Sequence, residues 1–408
     1  MSAVPLRRNR DFVLLQVGQT LSTIGSESTA IAYPLLVLAI THSPVQAGVV
    51  GFARIVPWAL FGFLAGAAVD RFHRKRMMLA CDVVRVAAMA SLVVALALDR
   101  LSFAQIAVVA FVEGTMFVLF NVAEFGALRS VVPAPQLPAA AAGEQVRYST
   151  VGLVAPPLGG ALFGIARSLP FIVDAVSYAF SLASLIAMRT PFQEERETEP
   201  GVPLRSQLAE GFRWLWGQPF FRTCALMFTW TNLVFEAIFL TLVVVGRREG
   251  LSGSRIGALI AVLGACSLLG SLLAPRLQRL LSMRAIVIGS FWVQLGIVAF
   301  VAKPSIYVLL GGAVPMALCL PTVNAVVIGY RVAIVPDRLT GRVNSVARTI
   351  ALCGSPFGPL TAGILLSSIS ERATVAIFVA LLLVLSVIAS TSSAIRNAPS
   401  LDDLAAPA

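Results

Sequence analysis

Ionisable side chains standing inside long apolar runs are the residues of this chain with chemistry to do. Glu27, Arg54, Glu113, Glu124 and Glu236 each interrupt a stretch built otherwise mostly of small and apolar residues. A charge at the centre of a bilayer costs about 2.5–3.5 kcal/mol on insertion scales, so such a residue faces protein or water and marks a functional site by default. A carboxylate held there can bind a proton in one environment and release it in another, because desolvation favours the neutral form and a nearby cation the charged one. Glu27, Glu113 and Glu236 are therefore the proton-coupling candidates, with Arg54 beside them. Counting about 1.5 Å per residue from opposite faces puts Glu27 and Arg54 at similar depth, where they are expected to pair. Glu124 falls level with Arg147 and reads as a structural ion pair with it. Arg348 opens the corresponding run in the second half.

Three further groupings stand out. Gly66-Ala-Ala-Val-Asp70-Arg71-Phe-His-Arg74-Lys-Arg76 joins two apolar runs by a short and strongly basic loop. Asp82 and Arg85 follow it, three residues apart and so on one helix face. Ala155-Pro156-Pro157-Leu158-Gly159-Gly160 has a partial counterpart in Pro356-Phe357-Gly358-Pro359. Proline bends a helix and glycine lets a neighbour approach, so both stretches are expected to serve as hinges.

The elements that position these residues are membrane helices. The chain has 408 residues, 58% of them hydrophobic and 12% charged, against about 25% charged in soluble domains. A span needs about 20 apolar residues, and twelve such runs are read at 12–40, 44–69, 77–98, 101–128, 143–166, 170–188, 220–245, 254–280, 285–302, 305–332, 343–369 and 373–395. One long polar interruption divides them six and six. The expected organisation is an N-terminal six-helix bundle (1–189), a cytoplasmic linker (190–219) and a C-terminal six-helix bundle with a short cytoplasmic tail (220–408). Within the linker, Leu204, Leu208, Phe212 and Leu215 fall at helical spacing beside Trp214 and Trp216, which predicts an amphipathic helix over Leu204–Gly217 at the inner interface.

Charge sets the orientation. With the N-terminus inside, the clusters Arg7–Arg10, Arg71–Arg76 and Arg276–Arg284 are cytoplasmic, as the positive-inside rule requires, and Arg247-Arg248 is the one outer cluster against it. Both termini are then cytoplasmic in the inner, or cytoplasmic, membrane. The net charge of +11 is spent in short loops between spans and does not point to nucleic acid. The first apolar run is too long for a cleavable signal peptide. Five scattered cysteines and two distant histidines, His42 and His73, give no metal or disulfide pattern. No nucleophile–base pair, metal set or nucleotide motif appears, so an enzyme is not expected, nor any cofactor beyond a proton gradient.

The two halves repeat. Val132-Pro133 leads through Arg147 to Pro156, and Val335-Pro336 leads through Arg348 to Pro356. The basic loop has a degraded echo in Gly270–Leu280, where Arg276 and Arg279 survive and no acid does.

The pattern Gly66-x-x-x-Asp70-Arg71-x-x-Arg74-Lys75 resembles the loop between the second and third helices of major facilitator superfamily transporters. With Tyr33-Pro34-Leu35-Leu36-Val37, Thr41–Pro44, Asp82-x-x-Arg85 and Val132-Pro133, the resemblance over residues 10–396 is to the exporter branch that includes enterobactin and macrolide efflux proteins. It implies an all-α polytopic fold of twelve transmembrane helices in two pseudo-symmetric six-helix bundles. Gly66, Asp70, Arg71 and Arg74 would form the cytoplasmic gate, with Asp70 capping the start of span eleven near Asn344 and Ser345, and Arg71 and Arg74 pairing with acids or lipid phosphates. The stretch around Pro156–Gly160 resembles a fifth-helix motif associated with antiporters, with Ala155 where that motif has Gly. The fourth-helix motif keeps Gly114, but Ala110 stands at its Arg position. Asn121, Gln16, Gln19, Gln294 and Asn324 would offer hydrogen bonds across a cavity, and Phe61, Phe117, Phe120, Trp230, Phe235 and Phe239 would suit an apolar substrate. The expected function is export of a hydrophobic or amphipathic small molecule, such as an antibiotic or siderophore, by proton antiport. A proton-coupled importer, a lysophospholipid flippase and a non-transporting sensor or scaffold are the alternatives. The expected partners are that substrate and membrane lipids, and the expected state is a monomer.

Overall fold

In the computed structural model, residues 6–190, 192 and 204–398 are described. They form α1 (Arg10–Thr41), α2 (Pro44–Arg71), α3 (Arg74–Ala97), α4 (Phe103–Val131), α5 (Leu137–Ile165) and α6 (Leu169–Ala187), then α7 (Leu204–Gly217). The second half has α8 (Pro219–Arg248), α9 (Gly253–Leu280), α10 (Met283–Val293), α11 (Ala299–Ala302) and α12 (Ile306–Ile334). It closes with α13 (Asp337–Leu352), α14 (Phe357–Ser368), α15 (Glu371–Thr391) and α16 (Ser393–Arg396). Among the described residues eleven stretches are long and apolar enough to cross a membrane, and the apolar stretch Thr150–Ile165 lies in α5.

Local chemistry starts and stops these helices. Asn9 accepts the Phe12 N–H at 3.2 Å, and its amide donates to the Val131 carbonyl at 2.9 Å, tying the start of α1 to the end of α4. Ser102, Ser282 and Ser370 cap α4, α10 and α15 in the same way. Asp11 accepts the backbone N–H groups of Arg189 at 3.0 Å and Thr190 at 2.7 Å, fixing the chain that leaves α6.

Two spans differ from expectation. The eleventh does not begin at 343: α13 starts at Asp337 and ends at Leu352, and the turn Cys353–Pro356 separates it from α14. Pro356 lacks an N–H and sits where a new helix starts, so the break falls where a continuous ladder would need that donor. The ninth is α10 and α11 joined by a 3₁₀ stretch, Gln294–Val298. By contrast α5 runs without a break through Pro156 and Pro157. The amphipathic linker helix is present as α7, with Leu215 fully buried and Phe212 stacked on Trp216 at 5.0 Å.

By contacts the chain divides into two units, residues 1–201 with 251–261, and residues 202–250 with 262–408. In the first, α1 packs on α5 and α6, α2 on α4, and α3 on α4 and α6. In the second, α8 packs on α13 and α14, and α10 on α12 and α15. The first unit's apolar core gathers Leu15, Met78, Cys81, Phe120, Ala123 and Leu185. Close approach at two glycines decides which polar groups meet inside this unit. A Cβ on Gly114 would strike the Arg54 carbonyl, so α4 lies directly on α2. A Cβ on Gly25 would strike Ser177 and Asp174, so α1 lies directly on α6.

Candidate functional site

One face of α1 reads Gly18, Gln19, Ser22, Gly25, Ser26, Thr29, and one face of α6 reads Asp174, Ser177, Tyr178, Ser181, Ser184; most of these are buried. Both stripes follow helical spacing. Together with α2, α3, α4 and α5 they enclose the polar interior of the first unit.

Glu113 on α4 is 1% exposed and accepts a hydrogen bond from Arg54 Nε on α2 at 3.0 Å. Arg54 also donates to the Ser26 carbonyl at 2.9 Å, and its distance to Glu27 is 4.0 Å. The expected Glu27–Arg54 pair is thus the looser contact and Glu113 the tighter partner. The Glu27 side chain is 42% exposed and that of Glu113 1%, so the buried carboxylate takes the guanidinium. Tyr178 links the two helical stripes: its hydroxyl lies 2.8 Å from Ser26 Oγ and donates to Glu113 Oε1 at 3.4 Å.

A second group is built on α3. Asp82 is fully buried and Arg85 2% exposed, with Arg85 Nη1 3.6 Å from Asp82 Oδ1. They lie in the third turn of a helix that begins at Arg74, inside the unit and not at its rim. Ser181 donates to Asp82 Oδ2 at 2.7 Å, and Gln19 donates to Ser181 at 3.0 Å. The Arg85 guanidinium lies 5.0 Å from the ring centres of Phe120 and Tyr178 and 5.6 Å from Phe117. Rings at these distances attract a cation through their π faces. Among the described residues, Arg85 Nε and Nη2 have no hydrogen-bond partner.

The third group joins α4 and α5. Arg147 pairs with Glu124 at 3.0 Å, as expected, and with Glu144 at 2.5 Å. Gln16 on α1 donates to Glu144. A small cavity opens among these groups, lined by Gln19, Ser26, Arg85, Phe117, Phe120 and Asn121, with Glu124 and Arg147 at its edge. Aromatic faces, hydroxyls, two amides, a carboxylate and two guanidinium groups therefore meet in one space.

Other expected residues fall elsewhere. Gly66, Asp70 and Arg71 fall in the last turns of α2, and their surroundings lie outside what is described. Arg74 donates to the carbonyls of Gly126 at 3.4 Å and Phe192 at 3.3 Å, so the hydrogen bonds described for it go to backbone carbonyls. The start-of-helix donors expected at Asn344 and Ser345 are not there, because both residues sit within α13: Asn344 accepts from Arg331 at 3.0 Å and Ser345 donates to the Gly341 carbonyl. Arg348 is likewise an exposed residue of α13 and does not open its helix. Glu236 is half-buried on α8, where a Cβ on Gly358 would lie 2.7 Å from its own Cβ. Gly159 lies on the Ser28 carbonyl and Gly160 on the backbone of Gly253, both in the first unit. Asn324 and Trp230 are exposed, and the Gln294 amide is occupied by the Ser290 carbonyl.

Asp174 went unread in the sequence. It is fully buried, near the start of a short apolar span. The signal was available in the hydroxyls at three, four and seven residues beyond it, which match the small polar face of α1. Glu144 was missed for another reason: it lies at the polar entry of α5, where a carboxylate looks solvated.

Residues 1–407 match the transmembrane secretion effector family of the major facilitator superfamily. The chain belongs to that family. Among its relatives, the multidrug efflux pump Tap of Mycolicibacterium fortuitum is 25% identical, covering 86% of this chain and 88% of that protein. The MFS-type transporter YceJ of Bacillus subtilis is also 25% identical, covering 89% and 91%. Two solved structures share the fold. A bacterial homologue of the lysosomal transporter Spinster has a TM-score of 0.76 at 17% identity, over 98% of this chain and 99% of that one. A bacterial homologue of the iron transporter ferroportin has a TM-score of 0.72 at 18% identity, over 95% and 99%. The family membership makes this chain a multi-pass membrane transporter with the major facilitator fold.

Proposed function

We propose that the protein exports hydrophobic or amphipathic small molecules across the cytoplasmic membrane, driven by proton antiport. The observation that carries the reading is the Arg54–Glu113 pair, its carboxylate buried, which Arg54 bonds to the backbone of Ser26, a residue lining a cavity of aromatic rings and hydroxyls. An apolar body suits Phe117 and Phe120, and a polar end suits Asn121, Ser26 and Arg85. Relatives named as multidrug efflux pumps support the outward direction. Carboxylates held away from water supply protonatable groups in the part of the protein that the substrate enters, so proton release and substrate binding compete for one polar interior. Alternating access then exchanges the loaded forms between the two sides. In this reading both termini are cytoplasmic, the protein acts as a monomer without a cofactor, and the Gly66–Arg76 loop serves as the cytoplasmic gate.

The test is transport by purified protein in liposomes. With an imposed pH gradient, ethidium or another lipophilic dye should move against its own gradient while protons move the opposite way. A deletion strain should accumulate more of the same compound. Accumulation that falls on deletion would reverse the direction, and absence of flux across a broad panel of apolar and amphipathic compounds would remove the transport reading.

A further inference from the structure

We propose that Asp174 is a proton-binding carboxyl group of the first unit, held here as the neutral acid; this rests on the proton-coupled reading above. The inference comes from counting hydrogens. Asp174 is fully buried, and the described groups within hydrogen-bond distance of its carboxyl are two hydroxyls. Thr29 Oγ1 lies 3.2 Å from Oδ2, but only 2.8 Å from the Ser26 carbonyl. Ser177 Oγ lies 3.3 Å from Oδ1, but only 2.8 Å from the Asp174 backbone carbonyl. Each hydroxyl has one hydrogen. Both hydrogens are drawn to the shorter bonds, so an ionised Asp174 would receive only the long, weak share of each. A neutral acid resolves this, because its own O–H donates from Oδ2 to a free lone pair of Thr29.

The comparison with its neighbours sharpens the point. Glu113 has Arg54 at 3.0 Å and Asp82 has Arg85 at 3.6 Å, whereas among the described residues no cation forms an ion pair with Asp174. An uncompensated buried carboxylate takes a proton instead of remaining charged. The charged and titratable groups acting on it are Tyr33 from α1, Arg54 from α2, Arg85 from α3, Glu113 from α4 and Tyr178 from α6 itself; among the described residues α5 adds none. Gly25 has no side chain, so α1 closes over the carboxyl and keeps water from it. Tyr178, one turn along α6, bonds Glu113, so the charge on Asp174 is set within one residue contact of the Arg54–Glu113 pair. Asp174 ionises when α1 and α6 separate enough to admit water or a guanidinium, and its proton then leaves to that water.

Infrared difference spectroscopy of the full-length protein in liposomes tests the protonation directly. The wild type near neutral pH should show a protonated-carboxyl stretching band that is lost in Asp174→Asn. Thr29→Val keeps the carboxyl and removes its acceptor, so the same band should shift to higher frequency. It also carries the test if Asp174→Asn does not fold. In parallel, gradient-driven ethidium accumulation should be lost in Asp174→Asn while downhill ethidium exchange persists. A band that is absent from the wild type, or unchanged in both variants, overturns the assignment. If the wild type shows the band but no proton-driven flux with any compound, the exporter reading fails while the neutral Asp174 stands. If proton-driven flux is present and Asp174→Asn leaves it unaltered, Asp174 is not the coupling group.

Discussion

Arg85 is expected to depend on Asp82 for its stability, and the dependence can be removed by discarding both charges. At 3.6 Å and an effective dielectric of about 20, the Coulomb attraction of the pair is about 5 kcal/mol. Asp82→Asn removes that attraction and keeps the shape and the bond from Ser181, because the amide oxygen accepts as the carboxylate did. Arg85 would then be a buried cation held by three aromatic rings alone, each contact being worth about 0.5–2 kcal/mol. Breaking one side of a buried pair costs about 3–5 kcal/mol, and the rings soften this to about 3 kcal/mol. Adding Arg85→Met removes the stranded charge. The thioether is about the right length and is favoured beside aromatic rings, so the double variant should return to within about 1 kcal/mol of the parent. The assay is thermal unfolding of purified protein in one fixed detergent, read by loss of the monodisperse peak. Asp82→Asn should lower the midpoint by several degrees and the double variant should restore most of it. A double variant as unstable as the sum of the two single variants would refute the reasoning, since the pair would not then be energetically coupled.

The same measurement checks three further expectations. Gly25→Ala would place a methyl against Asp174 and Ser177 and should destabilise by about 1–3 kcal/mol, with no rescue by added substrate. Arg147→Gln leaves Glu124 and Glu144 facing each other and should cost about 3–5 kcal/mol, part of which Glu124→Gln in the same chain should recover. Glu210→Gln breaks the ion pair with Arg342 that joins α7 to α13; both side chains are about one-third exposed, so the loss should stay below about 1 kcal/mol.

Sequence reading reaches the fold because apolar length and Ser, Asn and Pro at the helix starts are local signals. It reaches the depth of a buried charge as well, since depth is a count along the chain. It does not reach azimuth. Glu27 and Glu113 are both available to Arg54, and only the seating of α4 on α2 at Gly114 decides for Glu113. The turn at Cys353–Pro356 is equally hidden: Pro156-Pro157 and Pro356 read as equivalent hinges, yet the first helix continues and the second stops. Whether a proline bends or ends a helix depends on whether neighbours satisfy the freed carbonyls, and that is tertiary information. Asp174 needed two stripes read together, because a single carboxylate near the start of a short span gives no sign of its partner helix.

The two units treat charge differently although the sequence repeats between them. Asp82, Arg85, Glu113, Arg147 and Asp174 are buried in the first, together with Asp11 at its edge. In the second, every described buried polar residue is uncharged: Thr231, Thr241, Ser290, Gln294, Thr322, Ser355, Thr374 and Ser386. The ion pairs Arg248–Glu371 and Arg342–Glu210 of that unit reach solvent. Equivalent helices offer equivalent space, so the difference is not imposed by the architecture. A buried ion pair is seldom more stable than apolar residues of the same volume, and a unit that needed only to pack would have lost it. The first unit keeps three such groups, two of which line one cavity, and the second shows that the fold does not require them. The first unit therefore carries its buried charges for something other than packing, and the second shows a bundle of the same kind folded without them.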